Sequence, residues 1–525
     1  MGRMIAKRIL IVLIPSLLFS IYCFAIGNIL EGTLALAIAT GISIFFRYMS
    51  GKGIPTRVDR PLVTMILHLY TLSLGEVGPE DLIEAVADTK EYGFYSQVFR
   101  KIRNLAKDFG YGFTKATGQI AHTMKSPLRE ILVRFTTIFS SIKPEGYLKI
   151  EASTSMVEYS GYYERAIESL KMVGGVYTAF QSVIIFMVMT LAIMTVFAVS
   201  ADMVVYAYIV AAIALVIIYT IIRIAAPREK IVHLGEFPPR SYRAMKWSLL
   251  VTVPVSALVA FMLYFSYGEA FSFLALGMGM VIPGILAYKV ESYVDSIDRN
   301  YPTFLKALGE NLASTSDLKS ALHYILYMEL GPLKKLVQKA LARLKLGLSH
   351  DKTMSTLSSE TGSYKAYVSN KIFLDALNRG GDPLKIGNIL GNRVVKFLEF
   401  RKKRLTMANG FQITLLVIQP ITVVLLVVLT TLSRFLSQYM SVMPTFGFAP
   451  VPMEVVEIGN VILVVLTTIL NALALKEMKG SFLGTFLLSL GILLILSGAA
   501  WIATNELVDV LLGQLPSLEF PIPTA

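Results

Sequence analysis

The chain has few of the residues that carry catalysis or metal binding. Its 525 residues include one cysteine, Cys23, inside an apolar run, and five histidines. A single thiol cannot form an intramolecular disulfide or a cysteine-based metal site. The sequence contains no G-x-x-x-x-G-K-[ST], H-E-x-x-H or G-x-S-x-G motif and no pair of aspartates in facing apolar runs. These absences exclude a P-loop and the common hydrolase routes, so we expect no enzyme activity and no cofactor.

Charged residues are also scarce. They make up 16% of the chain, against 54% hydrophobic residues, and the mean hydropathy is +0.62. This composition is too apolar for an ordinary soluble protein. Strand-like alternation of polar and apolar residues is absent from the polar, basic segment from Glu291 to Asn409. We therefore predict an all-α fold of a polytopic membrane protein.

Nine apolar runs approach the length of about twenty residues that a helix needs to cross a bilayer. The first follows Arg3, Lys7 and Arg8, a pattern shared with cleaved signal peptides, but a second run begins almost at once and favours a membrane hairpin. The runs are Ile9–Ile26, Leu34–Phe46, Val176–Val199, Met203–Ile222, Trp247–Phe265, Phe271–Tyr288, Phe411–Leu432, Val455–Leu475 and Phe482–Ile502.

Basic residues orient these runs, because Lys and Arg are retained on the cytoplasmic side. Of the 49 basic residues, only Arg434 falls near an end that would then lie outside. We predict a multi-pass plasma-membrane protein with its N-terminus in the cytoplasm and its C-terminus outside. Its parts are an N-terminal transmembrane hairpin (1–48), a first cytoplasmic helical domain (49–172), four transmembrane helices (173–288) with a basic cytoplasmic loop (223–246), a second cytoplasmic helical domain (289–409), three transmembrane helices (410–504) and an acidic extracellular tail (505–525).

The two polar domains match each other at a constant spacing. Asp81-Leu82 matches Asp317-Leu318, and Gly174 matches Gly410, each 236 residues apart. A spacing shared across a whole domain indicates an internal duplication. We therefore predict two duplicated helical bundles.

The second domain carries clear helix signals. One face of a predicted helix is apolar, and Asp382-Pro383 and Ser349 look like helix starts, because Asp and Ser can accept unpaired N–H groups. The apolar face comprises Leu333, Leu336, Val337, Ala340, Leu341 and Leu344.

Three groups of basic residues are candidate binding sites for an acidic cytoplasmic partner. The second domain holds +9 of the chain's +13 net charge. A solvated helix face would also explain the first group, and anionic lipid headgroups would also explain the second. The groups are Lys334, Lys335, Lys339 and Arg343; Arg401, Lys402, Lys403 and Arg404; and Arg228, Lys230, Arg240 and Arg243.

Polar residues within the apolar runs are sparse. Gln419-Pro420 predicts a packing kink with an interhelical hydrogen bond. Gly277-x-Gly279 predicts close helix packing. A transporter would more often carry acidic or basic residues at the centre of its spans, and only Glu457, near a predicted outside end, comes close to that.

Several motifs resemble the type II secretion F-domain family. They are the helix openings I-D-R-N-Y-P from Ile297 and V-D-R-P from Val58, and the segment G-G-D-P-L from Gly380, which leads to the basic run at Arg401. With its additional spans and two polar domains, the chain resembles the platform proteins of archaeal type IV pili and archaella. The first domain departs from the pattern, because it lacks Asp-Pro at Gly146-Tyr147 and a basic run near Arg165.

The resemblance implies an assembly platform. Such a protein would couple a hexameric cytoplasmic secretion ATPase to the extraction and insertion of pilin or archaellin subunits. It would contact membrane lipids, form a homo-oligomer such as a dimer, and bind no nucleic acid. The alternatives are a secondary transporter or channel with accessory cytoplasmic domains, and an intramembrane enzyme, which the lack of acids in the spans disfavours.

Overall fold

The structure is a computed structural model that describes residues 57–141, 143–194, 201–442 and 453–513. Within these ranges the chain is helical, and one isolated β-bridge joins Val232 to Ser363. The predicted spans Ile9–Ile26 and Leu34–Phe46 lie outside the described residues. The sixteen helices are α1 (Arg60–Leu72), α2 (Pro79–Asp88), α3 (Phe94–Lys107), α4 (Phe113–His122), α5 (Leu128–Ser140), α6 (Glu145–Met194), α7 (Ala201–Ala225), α8 (Arg240–Tyr267), α9 (Glu269–Thr315), α10 (Leu318–Ile325), α11 (Leu333–Lys345), α12 (His350–Thr361), α13 (Tyr364–Leu377), α14 (Pro383–Val442), α15 (Met453–Lys479) and α16 (Thr485–Gly513).

The described chain forms two compact units. The first contains residues 87–140, and its helices α3, α4 and α5 enclose an aromatic core. The Phe99 and Phe135 ring centroids are 6.3 Å apart, and those of Phe135 and Phe139 are 5.7 Å apart. Such ring pairs add to the burial of apolar area. The unit therefore has a hydrophobic core of its own.

The second unit contains residues 60–86 and everything after Ser140. Seven of its helices, α6, α7, α8, α9, α14, α15 and α16, are long and apolar enough to cross a membrane. These seven match the predicted apolar runs from Val176 onward, although Phe482–Ile502 begins three residues before α16 and residues 195–199 of the run from Val176 lie outside the described residues. Helix α16 continues to Gly513, so the helix of the last span extends into the tail predicted from Asn505.

Three helices pass from a polar domain into a span without interruption. Helices α6, α9 and α14 are 50, 47 and 60 residues long. The predicted domain boundaries after residues 172, 288 and 409 fall inside these helices. At about 1.5 Å per residue, α14 extends roughly 90 Å.

One predicted helix opening is wrong, and another is confirmed. The segment from Ile297 to Pro302 lies inside α9 instead of at its start. Residues before and after Pro302 are buried, and this tertiary packing outweighs the local preference of proline for a helix start. Helix α1, in contrast, begins at Arg60 as the V-D-R-P pattern predicts.

Local signals in the second domain are confirmed. The Leu384 N–H donates to Asp382 Oδ1 (3.0 Å), and the Lys352 N–H donates to Ser349 Oγ (3.5 Å). Both side chains satisfy N–H groups that a helix start leaves unpaired. The apolar face of α11 is buried except for Leu344, which is partly buried.

Five successive helices begin at matching positions in the two polar domains. Helices α2 to α6 start at residues 79, 94, 113, 128 and 145, and α10 to α14 start at 318, 333, 350, 364 and 383. These separations stay close to the 236 residues between the matching sequence positions. The order and lengths of the connections therefore follow the predicted spacing.

The Gly277-x-Gly279 motif lies where α9 packs against two other spans. A Cβ on Gly277 would lie 2.7 Å from Ile495 Cγ1 of α16, and one on Gly279 would lie 2.1 Å from Ser256 Cβ of α8. Neither position has room for a side chain. The prediction of close helix packing is confirmed.

Candidate functional site at the junction of the spans and the second polar domain

Two residues of the basic run at the start of the α14 span are interior residues. Arg401 and Arg404 are 4% and 1% exposed, whereas Lys402 and Lys403 are exposed. Positions three apart lie on one face of a helix, so Arg401 and Arg404 turn inward together. The expectation that all four bind a partner at a surface is therefore wrong for Arg401 and Arg404, while Lys402 and Lys403 keep that possibility.

Arg404 joins α14 to the end of α15 and to the segment between α7 and α8. Its Nε and Nη2 donate to the carbonyls of Met478 (2.9 Å) and Glu477 (2.6 Å), and Nη1 donates to the Pro227 carbonyl (2.7 Å). The last carbonyls of a helix have no partner within the helix, and a cation there also matches the helix dipole. Gly480 follows with φ +58, and a Cβ there would lie 2.5 Å from Arg404 Cζ. The junction therefore requires glycine at this turn.

Arg401 is surrounded by three carboxylates. Its Nη2 donates to Glu291 (2.6 Å) and its Nε to Asp295 (3.3 Å), both on α9, and its Nη1 lies 3.7 Å from Glu229. Glu229 also lies 3.4 Å from Arg404 Nη1 and accepts a hydrogen bond from the Tyr163 hydroxyl of α6. We call Arg401, Arg404, Glu229, Glu291 and Asp295 the charged junction. It links α6, α9, α14, α15 and the α7–α8 connection.

Glu229 remains ionised in this setting. Burial by itself would raise its pKa, but the charges of Arg404, Arg60 and Arg401 and the hydrogen bond from Tyr163 lower the pKa below its ordinary value. A buried carboxylate is tolerated when it is paired and hydrogen-bonded in this way. The removal of one partner therefore leaves an uncompensated charge in the interior.

The connector, residues 226–239 between α7 and α8, attaches to the second polar domain. The Ile231 carbonyl accepts from the Tyr364 N–H (2.9 Å), and the His233 N–H donates to the Gly362 carbonyl (2.8 Å). The His233 ring stacks on Tyr367 with centroids 3.8 Å apart. The connector therefore adds a short extended pairing at the turn between α12 and α13.

The predicted basic residues of this loop have different surroundings. Lys230 lies over the Tyr364 ring, 4.7 Å from its centroid. Arg228, Arg240 and Arg243 are exposed. Lys230 therefore contributes to the attachment of the connector, and the three arginines remain surface groups.

Helices α6 and α14 pack through aromatic rings beside the charged junction. Tyr163 stacks on Phe400 with centroids 4.9 Å apart, and Tyr159 meets the same ring edge-on at 5.6 Å. Lys403 donates to Glu164 (2.5 Å) at the surface of this contact. Helix α6 is the last helix of the first polar domain and α14 is the last helix of the second. The spans that continue these two helices therefore begin side by side.

The basic face of α11 is partly neutralised. Arg343 donates to both carboxylate oxygens of Glu360 on α12 (3.0 and 2.7 Å), and Lys339 lies 3.7 Å from the same group. Lys335 is exposed and Lys334 partly exposed. Because Glu360 pairs with two of the four basic residues predicted as a docking surface, the net positive charge of this face is smaller than the sequence suggests.

Sequence reasoning missed the polar interior of the second domain. Asp298 is fully buried, with Lys365 Nζ 2.6 Å away and a hydrogen bond from the Ser363 hydroxyl. The Ser363 hydroxyl also accepts from the Ala366 N–H (3.1 Å), at the start of α13. The I-D-R-N-Y-P motif marked Asp298, but its partners lie more than sixty residues away and no local signal identifies them.

A neutral hydrogen-bonded network crosses the spans. The Gln419 amide donates to Thr468 (2.8 Å) and Ser497 (3.0 Å) and accepts from Asn471 (2.7 Å). The Tyr177 hydroxyl donates to Asn471 (2.6 Å). The predicted interhelical bond of Gln419 is confirmed, and it belongs to a network that joins α6, α14, α15 and α16. The groups are amides and hydroxyls, which fix helix packing and carry no charge.

Comparison with known proteins finds two relatives of similar size. No protein-family model matches the chain, and no solved structure shows significant similarity to it. The chain is 24% identical over 420 residues, 75% of its length and 74% of the relative, to a protein of Methanocaldococcus jannaschii described as flagella accessory protein J. It is 24% identical over 424 residues, 76% of each chain, to a protein of Methanococcus voltae with the same description. The chain is thus similar over about three quarters of its length to two flagella accessory proteins J.

Proposed function

We propose that this multi-pass membrane protein is the assembly platform of an archaellum or a related type IV pilus-like filament. The description of its two relatives, combined with seven membrane-length helices, supports this function. The platform would couple a hexameric cytoplasmic ATPase to the extraction of archaellin or pilin subunits from the membrane and their insertion into the filament. It would perform no catalysis itself.

The observation that carries this proposal is the continuity of α6, α9 and α14 from the polar domains into the spans. A continuous helix can transmit a displacement from a polar domain to the span that it joins. The charged junction ties these helices to α15 and to the connector through buried, short polar contacts. A displacement of the second polar domain would therefore move several spans together.

The finer organisation is part of the proposal. The matching helix starts support two duplicated domains of the F-domain type. Nine spans, a cytoplasmic N-terminus and an extracellular C-terminus follow from the positions of the apolar runs and basic residues. Assembly as a homo-oligomer such as a dimer rests on the resemblance to the platform proteins. Lys334, Lys335 and Lys339, together with Lys402, Lys403 and the three exposed arginines of the α7–α8 loop, are the surface cations proposed to meet the ATPase.

A secondary transporter or channel is not favoured. The buried network described in the spans consists of neutral amides and hydroxyls, whereas ion and substrate pathways commonly use ionisable groups. Filament loss without a change in solute flux, after deletion of the gene, would separate the two functions. Solute flux through the purified protein in liposomes would support the transporter instead.

Charge reversal tests the docking surface. We expect Lys334→Glu with Lys335→Glu to weaken binding of the purified ATPase and to abolish filaments, with an effect that shrinks at high salt because exposed charges are screened. Lys149→Glu with Lys171→Glu makes the same charge change on α6 and serves as the control. Equal binding by both double variants would remove α11 from the docking surface.

A further inference from the structure

Helix α8 is the least buried of the seven membrane-length helices in the described chain. Of its span, 11% is buried inside the protein, whereas 39% or more of each of the other six spans is buried. The exposed side chains of α8 are mostly large and apolar, and they include Leu250, Val255, Leu258, Phe261, Met262 and Phe265. Lipid or another protein must cover this outer face of α8.

Helix α8 uses small residues where it contacts α9. A Cβ on Gly279 of α9 would lie 2.1 Å from Ser256 Cβ of α8. One turn further along α8, the Ala260 carbonyl accepts a hydrogen bond from the Ser272 hydroxyl of α9 (2.9 Å). Helices in a membrane associate through small residues of this kind, because such residues let the backbones approach. The bulky outer face of α8 is therefore better matched to lipid acyl chains than to another helix.

Aromatic residues mark both ends of the α8–α9 hairpin at the spacing of a bilayer. Trp247 is 70% exposed near the start of α8, and the exposed Tyr264 and Tyr267 follow after 17 and 20 residues, roughly 25 and 30 Å. On α9, the exposed Phe271 and Tyr288 are also 17 residues apart. Trp and Tyr favour the headgroup level on either side of a hydrocarbon core about 30 Å thick. The two aromatic ends therefore indicate where the bilayer begins and ends on this hairpin.

Lysines accompany the aromatic residues at one end of the hairpin only. Lys246 precedes Trp247 and Lys289 follows Tyr288, and both lysines are exposed. Neither lysine forms an ion pair or a hydrogen bond with another residue that the structure describes. The other end, from Tyr264 to Phe271, contains one acid, Glu269, and no basic residue. The positive charge of the hairpin therefore lies on the side where α9 continues into the second polar domain.

The two lysines lie at the same level of the hairpin. A Cβ on Gly484, just before α16, would lie 2.9 Å from Met245 Sδ and 2.8 Å from Ala287 Cβ. The residues next to Lys246 and close to Lys289 therefore meet at one point.

No acid neutralises the lysines from their own helices. Helix α8 contains no Asp or Glu, and the nearest acids that follow Lys289 on α9 are Glu291 and Asp295. Both of these acids accept hydrogen bonds from Arg401 in the charged junction (2.6 and 3.3 Å). The charges of Lys246 and Lys289 therefore remain available to an anion at the membrane surface.

We propose that Lys246 and Lys289, with Trp247 and Tyr288 beside them, bind the anionic headgroup of a membrane phospholipid whose acyl chains cover the outer face of α8. Lysine ammonium groups bind phosphate as point charges. The Trp247 ring N–H and the Tyr288 hydroxyl are further donors at the same level. This inference depends on the membrane-spanning helices and not on the proposed function of the protein.

The tryptophan content of the chain allows a direct test. Trp247 and Trp501 are the two tryptophans, and Trp501 is 8% exposed, so Trp501→Phe leaves Trp247 as the sole emitter. In nanodiscs, we expect lipids brominated near the headgroup end of the acyl chain to quench Trp247 more strongly than lipids brominated near the chain terminus. Strongest quenching by the terminal bromines would overturn the assigned level. No quenching would mean that protein covers Trp247, and would overturn the lipid site.

Energy transfer from Trp247 to dansyl-labelled phosphatidylglycerol, added to the full chain in detergent, tests the headgroup contact. We expect phosphatidylglycerol to bind more tightly than labelled phosphatidylcholine. Lys246→Gln and Lys289→Gln should each weaken phosphatidylglycerol binding roughly fivefold, and together roughly 25-fold, with no change for phosphatidylcholine. Lys246→Arg with Lys289→Arg should retain the preference, because the charge is kept.

The control removes the same charge from the polar domains. Lys149 and Lys352 are exposed there, and Lys149→Gln with Lys352→Gln should bind phosphatidylglycerol like the parent chain. Equal affinity of the parent chain for the two lipids would overturn the proposal. Unchanged phosphatidylglycerol binding by Lys246→Gln with Lys289→Gln, or an equal loss in the control, would also overturn it.

Discussion

Arg404 offers the sharpest test of the charged junction. Its guanidinium is 1% exposed and donates to three main-chain carbonyls that belong to two different segments. It also lies 3.4 Å from the buried Glu229 carboxylate. Arg404→Met keeps much of the side-chain volume and removes all four interactions.

The expected loss is large. Hydrogen bonds to charged groups contribute about 1.5–3 kcal/mol each, and loss of one partner of a buried ion pair costs about 3–5 kcal/mol. These effects overlap at one residue, so we expect Arg404→Met to destabilise the second unit by about 3–5 kcal/mol. Arg404→Lys keeps the charge but lacks the planar arrangement of donors, so it should be intermediate.

Thermal unfolding of the purified protein in detergent measures this order. The melting temperature should fall from wild type to Arg404→Lys to Arg404→Met. Lys402→Met removes an exposed cation two residues earlier on the same helix and should leave the melting temperature unchanged. Because Arg404 and Glu229 share one cluster, Glu229→Gln should partly compensate Arg404→Met, and their effects should not add.

A wild-type melting temperature for Arg404→Met would refute the reasoning. It would mean that the three carbonyls and Glu229 find water or other partners at little cost. A loss equal to that of Lys402→Met would lead to the same conclusion. Filament assembly by the stable variant would then remove the charged junction from the proposed transmission of movement.

Three further predictions concern a cap, a titration and the topology. Asp382→Ala should cost about 0.5–2 kcal/mol and Asp382→Asn almost nothing, in thermal unfolding, because Asn also accepts the N–H at the start of α14. In the folded protein the pKa of Glu229 is below its ordinary value of 4.5, so ionised Glu229 stabilises the fold above that pH, and this stabilisation is lost as the pH falls through the folded pKa. The melting-temperature difference between wild type and Glu229→Gln should therefore be constant from neutral pH to about pH 5 and should shrink below 4.5. In a Cys23→Ser background, a cysteine at Ser517 should react with an impermeant reagent in intact cells and one at Ser349 should not; external labelling at Ser349 would reverse the proposed orientation.

Four spans of the second unit are joined to one another by hydrogen bonds, whereas α8 is not part of that network. Neutral amides and hydroxyls join α6, α14, α15 and α16 within the spans. The charged junction joins α6, α14 and α15 to α9 and to the connector, where the polar domain begins. Helix α8, in contrast, has an apolar surface of which little is buried within the protein. The central spans therefore form one connected body, and α8 presents most of its surface to its surroundings.

Local and periodic signals determined much of this protein. Composition and run length identified seven spans among the described residues, because a bilayer imposes the same length on each crossing helix. The helix start at Asp382 and the buried face of α11 also followed from sequence, since a cap involves residues two or three apart and a helix face repeats every 3.6 residues.

The tertiary structure decided which charged residues are on the surface. Arg401 to Arg404 are four consecutive basic residues, and only the rotation of α14 against its neighbours sends two of them inward. The acids that receive Arg401 are Glu291, 110 residues earlier, and Glu229, still further away along the chain. Pairing over such separations depends on how helices pack and leaves no local pattern. For the same reason the sequence did not predict the partners of Asp298. It also did not predict that α9 continues through Pro302, where burial against distant residues outweighed the local preference of proline for a helix start.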